Sequence, residues 1–109
     1  MRVFFYKTGK GRSPVREFID ELPDLDQARF LQLIEEIEEH GLAAVRVIFK
    51  PIHGKLWELK FRASGGSFRI FYVLVTKDQM VWLHAFKKKT QKTPKNEMEL
   101  ALNRMKDIL

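Results

Sequence analysis

Lys60 and Arg62 alternate with apolar residues in the segment LWELKFR (56–62), and Arg69 is the one charge in the segment FRIFYVLVT (68–76). Solvated cations are less expected on half-buried strands than in loops, so their placement carries information. The turn ASGGS joins the two segments tightly enough for Arg69 to approach Lys60 and Arg62 across one ladder. Lys87, Lys88 and Lys89 leave the end of a further strand, MVWLHAF (80–86). Cations gathered in this way suit a phosphate and the extra negative charge of its transition state. Metal-free RNA cleavage needs little more: the 2′-hydroxyl is its own nucleophile, and the protein supplies a base, an acid and cations. The competing reading pairs Lys60 and Arg62 with Glu58 and nearby helix acids, as a solvated face. His84 titrates near neutrality and is a candidate for proton transfer, although a histidine alternating with large apolar residues is more often packed in a core. Trp57, Trp82 and the phenylalanines alternate with Leu and Val and are read as core, not as base-stacking platforms.

Other chemistries are excluded by composition. The chain has no cysteine, which removes disulfides, thiolate metal sites and thiol nucleophiles, and His40, His53 and His84 lack metal-ligand spacing. No cofactor is expected. His40 and His53 adjoin glycines in expected turns, and the glutamates of residues 35–39 form no carboxylate dyad.

The elements that must position the cations follow from periodicity. With 109 residues and 45% hydrophobic content, a single domain over residues 1–109 is expected. VFFYK reads as a short strand. Ser13-Pro14 opens a helix whose face is Val15, Phe18, Ile19 and Leu22, ended by Pro23. Asp24 and Gln27 make a capping-box pattern for a second helix, with Phe30, Leu33, Ile34 and Ile37 inward and Gly41 as its stop. From Leu56 three strands form an antiparallel meander. Trp57, Leu59 and Phe61 are expected on one side of the first, and Met80, Trp82, His84 and Phe86 on one side of the last. KKKTQKT follows as a loop, Thr93-Pro94 caps a final helix, and Met98, Ala101, Leu102, Met105, Ile108 and Leu109 form its apolar face. The order β-α-α-β-β-β-α is α+β: an antiparallel twisted sheet with two N-terminal helices and a C-terminal helix.

Charge is segregated along the chain. Residues 13–41 hold nine acids and two bases, whereas residues 42–95 hold twelve bases and two acids. The second half is therefore expected to face a polyanion. No apolar run approaches the ~20 residues of a membrane span, and the N-terminus lacks a signal-peptide cleavage pattern, so a cytoplasmic protein with no membrane partner is expected.

Taken in order, SPVREFIDELP, LWELKFR, FRIFY and HAFKKKTQKTP resemble the RelE/ParE toxin superfamily, and most closely its HigB-like, phage-derived branch. The resemblance covers nearly the whole chain. It implies a microbial-RNase-like fold and metal-independent cleavage of mRNA on the ribosome. A cognate antitoxin is also implied, usually a helix-turn-helix protein from an adjacent gene. It places Arg69 at the family's phosphate-contacting arginine, Lys60 and Arg62 at basic positions of the preceding strand, and Lys88 at the basic position after the last strand. Lys55, Lys87, Lys89 and Lys92 are read as further RNA contacts. The C-terminal tyrosine that RelE-like nucleases use is missing, which leaves the general base among Lys60, His84 and a lysine of residues 87–89, with Lys60 favoured. The competing readings are a ParE-like toxin that inhibits DNA gyrase by binding and a non-catalytic RNA-binding domain of the same fold.

Overall fold

Alternation buries one face of a strand, but FRIFYVLVT is apolar on nearly both faces, so the sheet needs cover on both sides, and the helical stripes supply it. The computed structural model describes residues 1–44, 47–89 and 92–109. The elements are β1 (Arg2–Phe5), α1 (Pro14–Asp20), α2 (Asp24–His40), a short 3₁₀ turn (Gly41–Ala43), β2 (Ile48–His53), β3 (Leu56–Ala63), β4 (Gly66–Thr76), β5 (Gln79–Lys87) and α3 (Lys95–Ile108). Strand order is β1-β5-β4-β3-β2. The meander is antiparallel as expected, and β1 adds to its edge in parallel with β5. β2 was not among the elements expected from the sequence: it carries Pro51, which is tolerated on an edge strand, and His53, expected in a turn, closes it by pairing with Leu56.

One sheet face packs under α1 and α2. Val15, Ile19, Phe30, Leu33 and Ile37 meet Leu59, Phe61, Phe68, Ile70, Tyr72 and Trp82 there, all buried. The other face packs under α3, where Ala101 meets Tyr6, Leu56, Phe71, Val73 and Leu83. Each fully buried large apolar side chain contributes about 1.5–3 kcal/mol, so both helical layers are held mainly by this burial. Ile108 and Leu109, expected inward on α3, are exposed where the helix runs past the sheet.

The largest departure from simple alternation is on β5. Tyr72 pairs with Trp82 but Phe71 pairs with His84, leaving Leu83 as an extra residue. This bulge reverses the phase of the strand. Met80 and Trp82 stay on the α1/α2 face, whereas His84 and Phe86 move to the α3 face and do not share a side with them.

The capping signals were also reassigned. Pro23 and not Asp24 occupies the cap of α2, and the Gln27 amide donates to the carbonyls of Asp20 and Leu22. Pro94 caps α3, because the Thr93 hydroxyl is used elsewhere. Asp26, on the first turn of α2, instead clamps the β3–β4 turn: it accepts from the Ser64 hydroxyl at 2.7 Å and the Gly65 N–H at 3.1 Å. The Ser64 hydrogen bond, then that of Gly65, holds its carboxyl below the usual range. A Cβ on Gly65 would lie 2.4 Å from Asp26 Oδ2. Gly65→Ala is therefore expected to destabilise the fold by about 1–3 kcal/mol in chemical denaturation, as overpacking does; an unchanged midpoint would show the clamp to be loose.

Candidate active site

β3, β4 and the exit of β5 bring together four of the cations singled out in the sequence. Lys60 is the cross-strand partner of Arg69, and Arg62 that of Ser67. The Lys88 N–H donates to the Ser67 carbonyl at 2.8 Å, which fixes the residue beside the end of that ladder. Lys60, Arg62, Ser67 and Lys88 line a groove of about 980 Å³, and Arg29 and Ile48 complete its wall. Arg29 was missed because it lies in the acidic helix α2; packing of its guanidinium over the Phe61 ring at 5.8 Å brings it across.

The Lys60 and Lys88 amines meet within this groove. Burial first, then the hydrogen bond to Lys60, then the charges of Lys60 and Arg69 push the Lys88 amine below the ordinary lysine range, with Glu58 opposing.

Arg69 is buried and does not line the groove. It is 3% exposed and Glu58 is 4% exposed, with Arg69 Nε 3.5 Å from Glu58 Oε1. Arg69 Nη1 donates to Thr93 Oγ1 at 3.2 Å, and the Thr93 hydroxyl donates to Glu58 Oε2 at 3.4 Å. Glu58 therefore partners Arg69, not the Lys60 and Arg62 of the solvated-face reading. Its role was detectable as the lone acid of its strand; Thr93 carried no signal beyond a helix cap.

The other sequence candidates lie elsewhere. His84 stacks between Phe71 and Phe86, with centroids at 6.5 and 5.6 Å. Its Nε2 meets the Glu97 carboxylate, and Arg104 Nη1 approaches Nδ1 at 3.4 Å while donating to the Leu83 carbonyl at 2.8 Å. Arg104 carries donors only, so Nδ1 accepts and Nε2–H donates to Glu97. Lys87 extends past Gly66 toward Asp26, on the opposite side of the sheet from Lys60. Lys55 lies in the β2–β3 turn at the far end of β3, and Lys89 and Lys92 are exposed. Neither tyrosine reaches the groove: Tyr6 donates to Asp107 Oδ2 at 2.5 Å, and Tyr72 is buried against Phe49.

Burial holds the His84 imidazole below its ordinary value of 6.5, with the Glu97 hydrogen bond opposing and Arg104 adding to the depression. Folding thus disfavours the imidazolium. The stabilising contribution of neutral His84 is complete above about pH 6.5 and is lost as pH falls toward the depressed native value. His84→Gln is expected to lower the melting temperature at pH 7.5 and to flatten the fall in stability below pH 6.5, measured by thermal unfolding across pH. RNA cleavage by the variant is expected to stay within a few-fold of wild type; a loss of 10²-fold or more at saturation, with folding intact, would return His84 to the site.

The description phage-derived protein Gp49-like (DUF891) matches residues 17–106. The chain belongs to that Gp49-like family. Curated relatives from two strains of Mycobacterium tuberculosis, each named probable endoribonuclease HigB1, are 34% identical over 103 residues, covering 94% of this chain and 80% of theirs. The HigB-like, phage-derived resemblance read from the sequence is thereby borne out. Within this Gp49-like chain the match takes in all of α2, the sheet from β2 to β5 and most of α3, and so includes every groove residue described above.

Proposed function

We propose that this Gp49-like protein is the toxin of a type II toxin-antitoxin module: an endoribonuclease that cuts mRNA on the ribosome without a metal and is held in check by an antitoxin from a neighbouring gene. The observation that carries the reading is the convergence of four cations, Lys60, Lys88, Arg29 and Arg62, on one groove. Lys88, whose charged form is disfavoured, takes the proton of the ribose 2′-hydroxyl through its neutral fraction. The freed 2′-oxygen attacks the adjacent phosphorus, and the bond to the 5′-oxygen breaks. Lys60 returns a proton to that oxygen, leaving a 2′,3′-cyclic phosphate and a 5′-hydroxyl. Arg62 and Arg29 neutralise the phosphate, whose charge rises in the transition state.

The test is in vitro translation with purified protein and mapping of mRNA 5′ ends. Cuts phased with the reading frame are expected, together with binding to single-stranded RNA that falls roughly 50-fold between 50 and 200 mM salt if four phosphate contacts form. Uncut mRNA with inhibited gyrase supercoiling would replace the nuclease by a gyrase-binding toxin.

A further inference from the structure

Arg69 is too enclosed to meet a phosphate where it lies. A phosphate oxygen must come within about 2.7–2.9 Å of a guanidinium nitrogen, and at 3% exposure the residue offers no such approach. Three separate stretches of chain converge to hold it there: Glu58 from β3, its own strand β4, and Thr93 from the residues leading into α3. The Thr93 hydroxyl has one proton. It accepts from Arg69 Nη1 and donates to Glu58 Oε2, so it links the two charges and fixes their separation. Arg69 is also the cross-strand partner of Lys60, which lines the groove together with Lys88.

On the reading above, we propose that Glu58 and Thr93 are positioning residues that hold Arg69 beneath the Lys60–Lys88 amines, so that Arg69 promotes cleavage through those amines and not by touching the phosphate. The two buried charges act on the pair in opposite senses. Arg69 favours the neutral amine and Glu58 the charged one. The Thr93 bridge sets how strongly each is felt.

The variants Glu58→Gln, Thr93→Val and Thr93→Ser separate this arrangement from its alternatives. The readouts are lysine amine titration by NMR in protein labelled at the lysine ε-carbon, and the pH–rate profile of mRNA cleavage. Glu58→Gln removes the opposing charge and is expected to raise the acid dissociation constant of Lys88 about threefold or more, moving the acid limb of the profile to lower pH. Thr93→Val, which lets Arg69 shift, is expected to lower kcat about tenfold with KM within about twofold, and Thr93→Ser to restore it. Tighter RNA binding and faster cleavage by Glu58→Gln or Thr93→Val would overturn the proposal, making Glu58 and Thr93 restraints on a phosphate-binding arginine. Lowered melting temperatures with unmoved titration and profile would overturn it in favour of a purely structural pair. A wild-type protein that leaves mRNA intact would defeat the nuclease reading instead, and the lysine titrations would still decide whether Glu58 governs the amines.

Discussion

Arg69→Ala is expected to lower folding stability by about 3–5 kcal/mol, because it strands the Glu58 carboxylate in a site that excludes water. Glu58 is 4% exposed, and the Arg69 guanidinium is its counter-charge. For a domain of this size the loss corresponds to a fall in melting temperature on the order of 15 °C. The physical cause can be separated from simple loss of packing by adding Glu58→Gln. A neutral amide is cheaper to bury than an unpaired carboxylate, so the double variant is expected to be more stable than Arg69→Ala alone. A single variant that melts with wild type, or a double variant that melts lower than the single, would show that the pair is not coupled as the geometry requires. Cleavage by Arg69→Ala, assayed well below its melting temperature, is expected to drop about tenfold or more, as for Thr93→Val, because both variants act through the amines. Loss of toxicity in growing cells would mix the two effects, which makes the purified comparison the informative one.

The second large effect is expected at the amine pair. Lys88→Ala should reduce cleavage at saturation by roughly 10²–10⁴-fold, the usual scale for a removed proton-transfer group. Lys60→Ala should fall in the same range, since without its partner the Lys88 amine loses the hydrogen bond that lowers its proton affinity. The two losses should not add, because each variant already destroys the same unit. Stability should barely change in either, as both side chains line the open groove. Single-turnover cleavage by the two single variants and the double, beside their denaturation curves, checks all of this. Wild-type cleavage by Lys88→Ala would return the base role to Lys60, the residue favoured by sequence alone.

The elements themselves were legible because their signals are local. A stripe such as Phe30, Leu33, Ile37 needs only the helical period to be read, and the alternation in LWELKFR needs only the strand period; both were buried as expected. The gathering of Lys60, Arg62, Arg69 and Lys88 was legible for the same reason, since short turns leave consecutive antiparallel strands little choice of neighbour. What the sequence alone did not reveal depends on contacts with no local period. A single extra residue, Leu83, turned His84 away from Trp82 and onto α3, and no alternation rule announces a bulge. Pro51 hid the edge strand β2, whose partner lies across a turn. Above all, the sequence named Arg69 as a phosphate contact, whereas tertiary packing put it under the surface with Glu58 and Thr93. Which strand face a charge occupies follows from period two; whether it reaches solvent depends on what the far end of the chain lays over it. Here that is the stretch entering α3, twenty-four residues downstream of Arg69.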